Sequence, residues 1–162
     1  MRIVELQGSV GSAPANDRRS GFAEVIAARP AFTVIASQSG NFTRSGGKQV
    51  MEALLKAHDD IDVVYAHNDD MGLGAIQAIE EVGLVPGKDV KVVTVDAIRD
   101  GMRALAAGKI NFIVECSPLL GPQLVDIVER VFAGRSVPQR VVTEETTFTR
   151  DQAEAVLPQR EY

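Results

Sequence analysis

Short apolar runs rich in β-branched residues alternate along this chain with longer stretches whose apolar positions recur every three or four residues. The clearest unit is Ile61-Asp62-Val63-Val64-Tyr65-Ala66-His67-Asn68-Asp69-Asp70-Met71-Gly72-Leu73-Gly74-Ala75. Its first half reads as a strand buried on both faces. From Asp69 onward, Met71, Ala75, Ala78, Ile79 and Val82 fall at helical spacing, and Gly83 is a natural stop. The same unit recurs on either side. Ile3–Leu6 predicts a strand, and a helix capped by Asn16 or Asp17 runs to about Arg29, where Pro30 ends it. Phe32–Ala36 predicts a second strand, and Thr43–His58 a helix with Val50, Met51, Leu54 and Leu55 as its buried stripe. Val90–Val95 and Ile110–Glu115 predict two further strands, separated by a short helix over Asp100–Ala107. Ser117-Pro118 opens a fifth helix that ends at Gly134. Strands alternating with helices imply right-handed βαβ crossovers. The expected fold is therefore α/β: a doubly wound, five- to six-stranded parallel sheet with helices on both faces.

The last stretch breaks the alternation. Val141–Phe148 is β-prone, and Arg150–Leu157 holds one or two weak helical turns. The expected division is a nucleotide-fold-like domain over 1–142 and a tail over 143–162, loosely held or docked on a neighbouring copy.

Composition narrows the chemistry. At 162 residues the chain can bury one core without staples. A net charge of −5 gives no basic field, so nucleic acid is not an expected partner. No apolar run reaches the roughly 20 residues needed to cross a bilayer, and Met1–Leu6 is too short and acidic for a secretory signal. One cysteine, Cys116, excludes an intrachain disulfide; with only His58 and His67 beside it, no metal site is expected. No cofactor is expected either.

In open α/β sheets, ligands bind at the carboxyl ends of the strands. Arg18 follows strand one, Phe42 strand two, Asn68 strand three, Asp96 strand four and Cys116 strand five, so all five converge on one edge. Guanidinium, carboxamide and carboxylate can each engage two neighbouring hydroxyls, and an aromatic face suits the C–H face of a sugar ring. Each also has an ordinary explanation: Asn68 and Asp69 as helix caps, Asp96 as a turn residue, Arg18 as a solvated helix residue, Phe42 as a cover for the sheet edge. Their coincidence on successive strand ends favours a site. Catalysis is not expected. Gly8-Ser9-Val10-Gly11-Ser12 lacks the Gly-Lys-Ser/Thr ending of a phosphate loop, and no nucleophile–base pair is identifiable. Ser45-Gly46-Gly47-Lys48 lies inside a helix, where its glycines point to close packing rather than anion binding.

Five segments carry a family likeness: Val4-Glu5-Leu6-Gln7-Gly8, Asp17-Arg18-Arg19-Ser20-Gly21-Phe22, Ser37-Gln38-Ser39-Gly40-Asn41-Phe42-Thr43-Arg44, Tyr65–Met71 and Val114-Glu115-Cys116-Ser117-Pro118. Together, in collinear order over the whole chain, they resemble the ribose/galactose-type periplasmic sugar-binding proteins of ABC importers, above all the galactofuranose-binding branch. The resemblance implies a two-lobed clamp that closes on one monosaccharide and presents it to a membrane permease in the periplasm. It places the sugar-binding arginine on Arg18, the stacking aromatic on Phe42, the asparagine on Asn68 and the aspartate on Asp96. Ribose-type proteins carry a glutamine where this sequence has Cys116, which argues against ribose; Glu115 is the nearest polar substitute. It also implies that this chain corresponds to the second lobe, hinge return and tail of a protein about twice as long, truncated before the first lobe. On that reading the exposed carboxyl edge and orphaned tail favour self-association. The effector domain of a sugar-responsive repressor shares the fold and is the alternative, as is, more remotely, a small-molecule enzyme.

Overall fold

The computed structural model describes all 162 residues. Its centre is a six-stranded sheet in the order β2-β1-β3-β4-β5-β6. Strands β1 (Arg2–Gln7), β2 (Thr33–Ser39), β3 (Val63–Ala66), β4 (Lys91–Asp96) and β5 (Phe112–Glu115) are parallel. The sixth, β6 (Thr147–Phe148), is antiparallel to β5. A five- to six-stranded parallel sheet was expected; the sixth strand forms, but only as a two-residue antiparallel edge.

Three helices, α2 (Arg44–Ala57), α3 (Asp69–Glu81) and α4 (Arg99–Ala106), bury their apolar stripes on one face. Val4, Leu6, Val50, Met51, Leu54, Val64, Met71, Ile79, Val92, Met102, Leu105 and Ile113 form the main core there. The opposite face is covered more thinly by α1 (Ala13–Ala27), whose Phe22 and Ile26 lie against Ile3, Tyr65 and Val95. Helix α1 begins earlier than Asn16 or Asp17: Ser12 stands at its N-cap and Pro14 in its first turn. A proline there gives up a backbone donor that would be unpaired anyway, so it starts the helix sooner than a polar cap further on.

The largest departures lie after β5. Helix α5 (Gly121–Phe132) does form, with Pro122 in its first turn, but none of its residues is buried. Leu124, Val125, Val128 and Val131 are exposed, and Phe132 is 88% exposed. This helix does not cover the sheet. Residues 116–145 are an excursion whose two ends meet, because the Glu115 amide donates to the Thr146 carbonyl at 2.8 Å. The tail, in contrast, is not loosely held. Phe148 and Ala153 enter the main core, Ala153 from helix α6 (Arg150–Val156). A buried Arg160 follows the short 3-10 turn Leu157–Gln159. Phe148 supplies an anchor and Thr149–Gln152 a capping box, which together fix what looks weak as an isolated helix.

Candidate functional site

Every strand of the parallel set ends on the same edge, and the polar residues there form one connected cluster. Arg18, one turn into α1, reaches across it. Its Nη2 donates to Asp96 Oδ1 at 3.1 Å, and its Nη1 donates to the His67 carbonyl. The guanidinium carbon stands 5.7 Å from the centroid of the Phe42 ring. Phe42 holds φ at 60°, and its ring lies over Gly8: a Cβ on that glycine would fall 1.9 Å from Phe42 Cζ. Only a glycine in the first loop lets the aromatic lie down on this edge.

Asn68 caps α3, its Oδ1 accepting from the Met71 amide at 3.0 Å. Its Nδ2 donates to the Phe42 carbonyl at 3.1 Å, so the cap also fixes the loop that carries the ring. One N–H and one lone pair of the carboxamide remain unpaired. Arg18, Phe42, Asn68 and Asp96 are thus brought together. Cys116 joins only through its backbone, whose amide donates to the Asp96 carbonyl at 3.2 Å; its thiol is exposed. Glu115 turns away from the cluster and is held by Arg160 and Tyr162.

Burial pushes the Asp96 carboxyl up to about 6, the charge and hydrogen bond of Arg18 pulling it only part of the way back. The backbone beneath it is unusual. Asp96 has φ 117° and Ala97 φ 65°, two successive non-glycine residues in the left-handed half of conformational space. Such residues cost about 1–3 kcal/mol each and persist where the surroundings fix them.

Two supporting groups were not legible as such in the sequence. Glu5 and His67 form a buried pair, Nε2 to Oε1 at 3.1 Å. The Gly8 amide donates to His67 Nδ1 at 3.3 Å, which leaves Nε2 to donate to Glu5. Burial works to raise the Glu5 carboxyl, but hydrogen bonds from His67, Gln7 and Ser37 together hold it below its ordinary value. The pair therefore ties the first loop to the third. A charge at Glu5, inside the apolar run Ile3–Leu6, was the available signal.

Asp69 is the second. It looked like a helix cap beside Asn68, yet its side chain is fully buried and turned toward the β4–α4 loop. Its Oδ2 accepts from the Ile98 amide at 2.7 Å, and Oδ1 is hydrogen-bonded to Thr94 Oγ1. Burial lifts this carboxyl to about 7, against the donors that pull it down. At the rim, Arg44 grips Asp70 through Nε and Nη2 at 3.0 and 2.9 Å and reaches Asp100 at 3.3 Å. This array offers hydrogen-bond acceptors, donors and one aromatic face.

Comparison with known proteins places the chain among sugar-binding relatives. The galactofuranose-binding protein YtfQ of Escherichia coli strain K12 is 43% identical over 162 residues, 98% of this chain and 51% of YtfQ. A Mycobacterium smegmatis protein solved in complex with β-D-fucofuranose is 59% identical, with a TM-score of 0.96 over 100% of this chain and 53% of that one. The arabinose-transporter binding protein of Shewanella sp. ANA-3, solved with α- and β-L-arabinofuranose, is 42% identical, with a TM-score of 0.93 over 99% of this chain and 54% of that one. The chain spans about half the length of the relatives it matches. Residues 1–136 match the periplasmic binding protein domain model, and the chain belongs to that family.

Proposed function

We propose that this chain binds an aldose in its furanose form, without catalysis, as one lobe of a solute-binding protein that serves an ABC importer in the periplasm. The observation that carries the reading is the Arg18–Asp96 pair lying beside the Phe42 ring and Asn68 on one strand edge. Asp96 would accept hydrogen bonds from ring hydroxyls while Arg18 donates, and Phe42 would cover the apolar face of the sugar. Relatives solved with β-D-fucofuranose and with L-arabinofuranose support a five-membered ring, and a fucose- or arabinose-like sugar rather than ribose. Cys116, where a long amide would otherwise add a contact, supports the same choice.

Residues 1–115 and 146–162 make up the lobe on this reading, and 116–145 is the excursion that meets the rest of a two-lobed clamp. This division differs from the one expected at 142, and the entry of Phe148 and Ala153 into the main core supports it. The apolar face of α5 then replaces the tail as the reason for self-association of the 162-residue chain. Light scattering should show a mass that rises with concentration, and a constant monomer mass would count against it.

Thermal unfolding with millimolar D-fucose, D-galactose, L-arabinose and D-ribose tests the sugar reading. At ten times Kd a ligand adds about 1.4 kcal/mol, or a midpoint rise of about 3–6 °C. Ribose should move the midpoint least. Asp96→Asn should weaken the responding sugar by at least tenfold. In the unsubstituted protein, affinity should fall as pH drops through about 6, because a protonated Asp96 surrenders its acceptor; in Asp96→Asn that fall should vanish. No shift with any of the four sugars would overturn the reading.

A further inference from the structure

The loop that presents Asp96 is gripped by a residue far along the chain. Arg160 is 8% exposed, and its Nε donates to the Ala97 carbonyl at 2.7 Å. The guanidinium is itself immobilised. Its Nη2 is 2.7 Å from Glu115 Oε1, to which the Tyr162 hydroxyl also donates at 3.0 Å. Its plane is flanked by the Phe148 and Tyr162 rings, with centroids 5.1 and 4.3 Å from the guanidinium carbon. The following backbone closes the grip, as the Arg99 amide donates to the Tyr162 carbonyl at 2.7 Å and the Arg99 side chain donates to the Arg160 carbonyl.

A buried, paired arginine is a poor way to gain stability alone, since an apolar residue of similar volume often does as well. It is a good way to fix a carbonyl, because a planar fork loses little freedom per bond formed. The carbonyl it fixes belongs to Ala97, the second of the two left-handed residues. Asp69 holds the same loop from beneath at Ile98, and the Cys116 amide holds the Asp96 carbonyl. The Asp96–Ala97 pair is thus over-determined from three sides, which is the condition for backbone strain to persist.

We propose that Arg160 is a positioning residue for sugar binding: by holding the Ala97 carbonyl it keeps the Asp96 carboxylate aimed at Arg18 and the ligand. This rests on the sugar reading above. The test is a double-mutant cycle read by calorimetry with D-fucose and D-galactose, well below each variant's unfolding midpoint. Arg160→Lys keeps the charge beside Glu115, but one ammonium on an unbranched stem does not reproduce the fork. It should weaken binding about tenfold. In the background of Asp96→Asn it should change affinity by less than twofold, whereas with Phe42→Leu the two losses should multiply. A residue that merely stabilised the lobe would multiply with both. Glu115→Gln, which loosens Arg160 without removing it, should show the same dependence on Asp96 and stands in if the lysine variant does not fold. Unchanged affinity in both variants, or losses that multiply with Asp96→Asn, would overturn this role while leaving the sugar reading intact. If Asp96→Asn itself leaves affinity unchanged, both fall.

Discussion

Gly74→Ala should cost the fold about 3 kcal/mol, although it replaces a helix-interior glycine with the best helix former. Helices α2 and α3 pass so closely that a Cβ on Gly74 would lie 2.0 Å from the Arg44 carbonyl oxygen and 2.7 Å from the Lys48 nitrogen. From the other side, a Cβ on Gly47 would lie 2.4 Å from the Met71 carbonyl oxygen. These neighbours are backbone, so no side-chain rotation relieves the clash. The helices must separate, opening the contact around Met51, Met71 and Ala75. Overpacking of this kind costs about 3 kcal/mol or somewhat more, and the helix preference of alanine returns at most about 1 kcal/mol. The midpoint should fall by about 6–12 °C for a chain of this size. Gly21→Ala in α1 is the control: nothing lies within 4 Å of its Cβ position, so only the propensity gain acts and stability should rise slightly. Equal effects of the two substitutions would refute the packing argument. Separation of α2 from α3 would also draw Arg44 from Asp70 and the Phe42 loop from Asn68, so Gly74→Ala should weaken sugar binding as well.

The second large effect is a loss of stability with rising pH that belongs to Asp69. Its carboxyl stands at about 7 in the fold, against an ordinary value of 3.8, because burial penalises the charged form more than Thr94, Ile98 and Ala97 favour it. A raised acid binds its proton more tightly in the native state. Its contribution is therefore complete below about 4 and is lost as pH rises through about 7. The full linkage is worth up to about 4 kcal/mol. Glu5, Asp100 and Glu115, whose carboxyls are all held low, act in the opposite sense below about 4.5. The comparison that isolates Asp69 is a denaturant titration of Asp69→Asn beside the unsubstituted chain from pH 4 to 8. The amide adds a constant offset, since its NH2 meets a donor, but it does not titrate. The variant should gain on the unsubstituted chain steadily with pH, with most of the gain complete by about pH 7.5. Parallel profiles would mean that Asp69 is ionised throughout.

Asp69 and Asp96 also show why the pH responses of stability and of binding should differ. The first is fully buried and braces the loop from within the fold, whereas the second remains partly exposed and paired to Arg18. A protein of this kind should hold its sugar best above pH 6 and its fold best below 7.

The alternation of the sequence determined the βα order, the shared edge and the nearness of the helices. Short apolar runs between helical stripes leave few topologies, and parallel strands carry their following loops to one side. That is why Arg18, Phe42, Asn68 and Asp96, separated by up to 78 positions, meet on one edge without any contact being assumed. Ser45-Gly46-Gly47-Lys48 likewise read correctly as packing, since glycine inside a helix signals an approach that a Cβ would block. Tertiary structure decided what local pattern does not encode. The stripe Leu124, Val125, Val128 and Val131 identifies a helix with an apolar side, but periodicity does not say which surface that side meets; here it meets none. The tail was judged by its own weak propensity, whereas its order comes from Phe148 and Ala153 entering a core built by residues far earlier in the chain. The inward turn of Asp69, the Glu5–His67 tie and the left-handed Asp96–Ala97 pair depend on partners from other strands, so they exist only once the strands have assembled. The grip of Arg160 on Ala97 spans 63 positions, and nothing near Arg160 in the chain announces it.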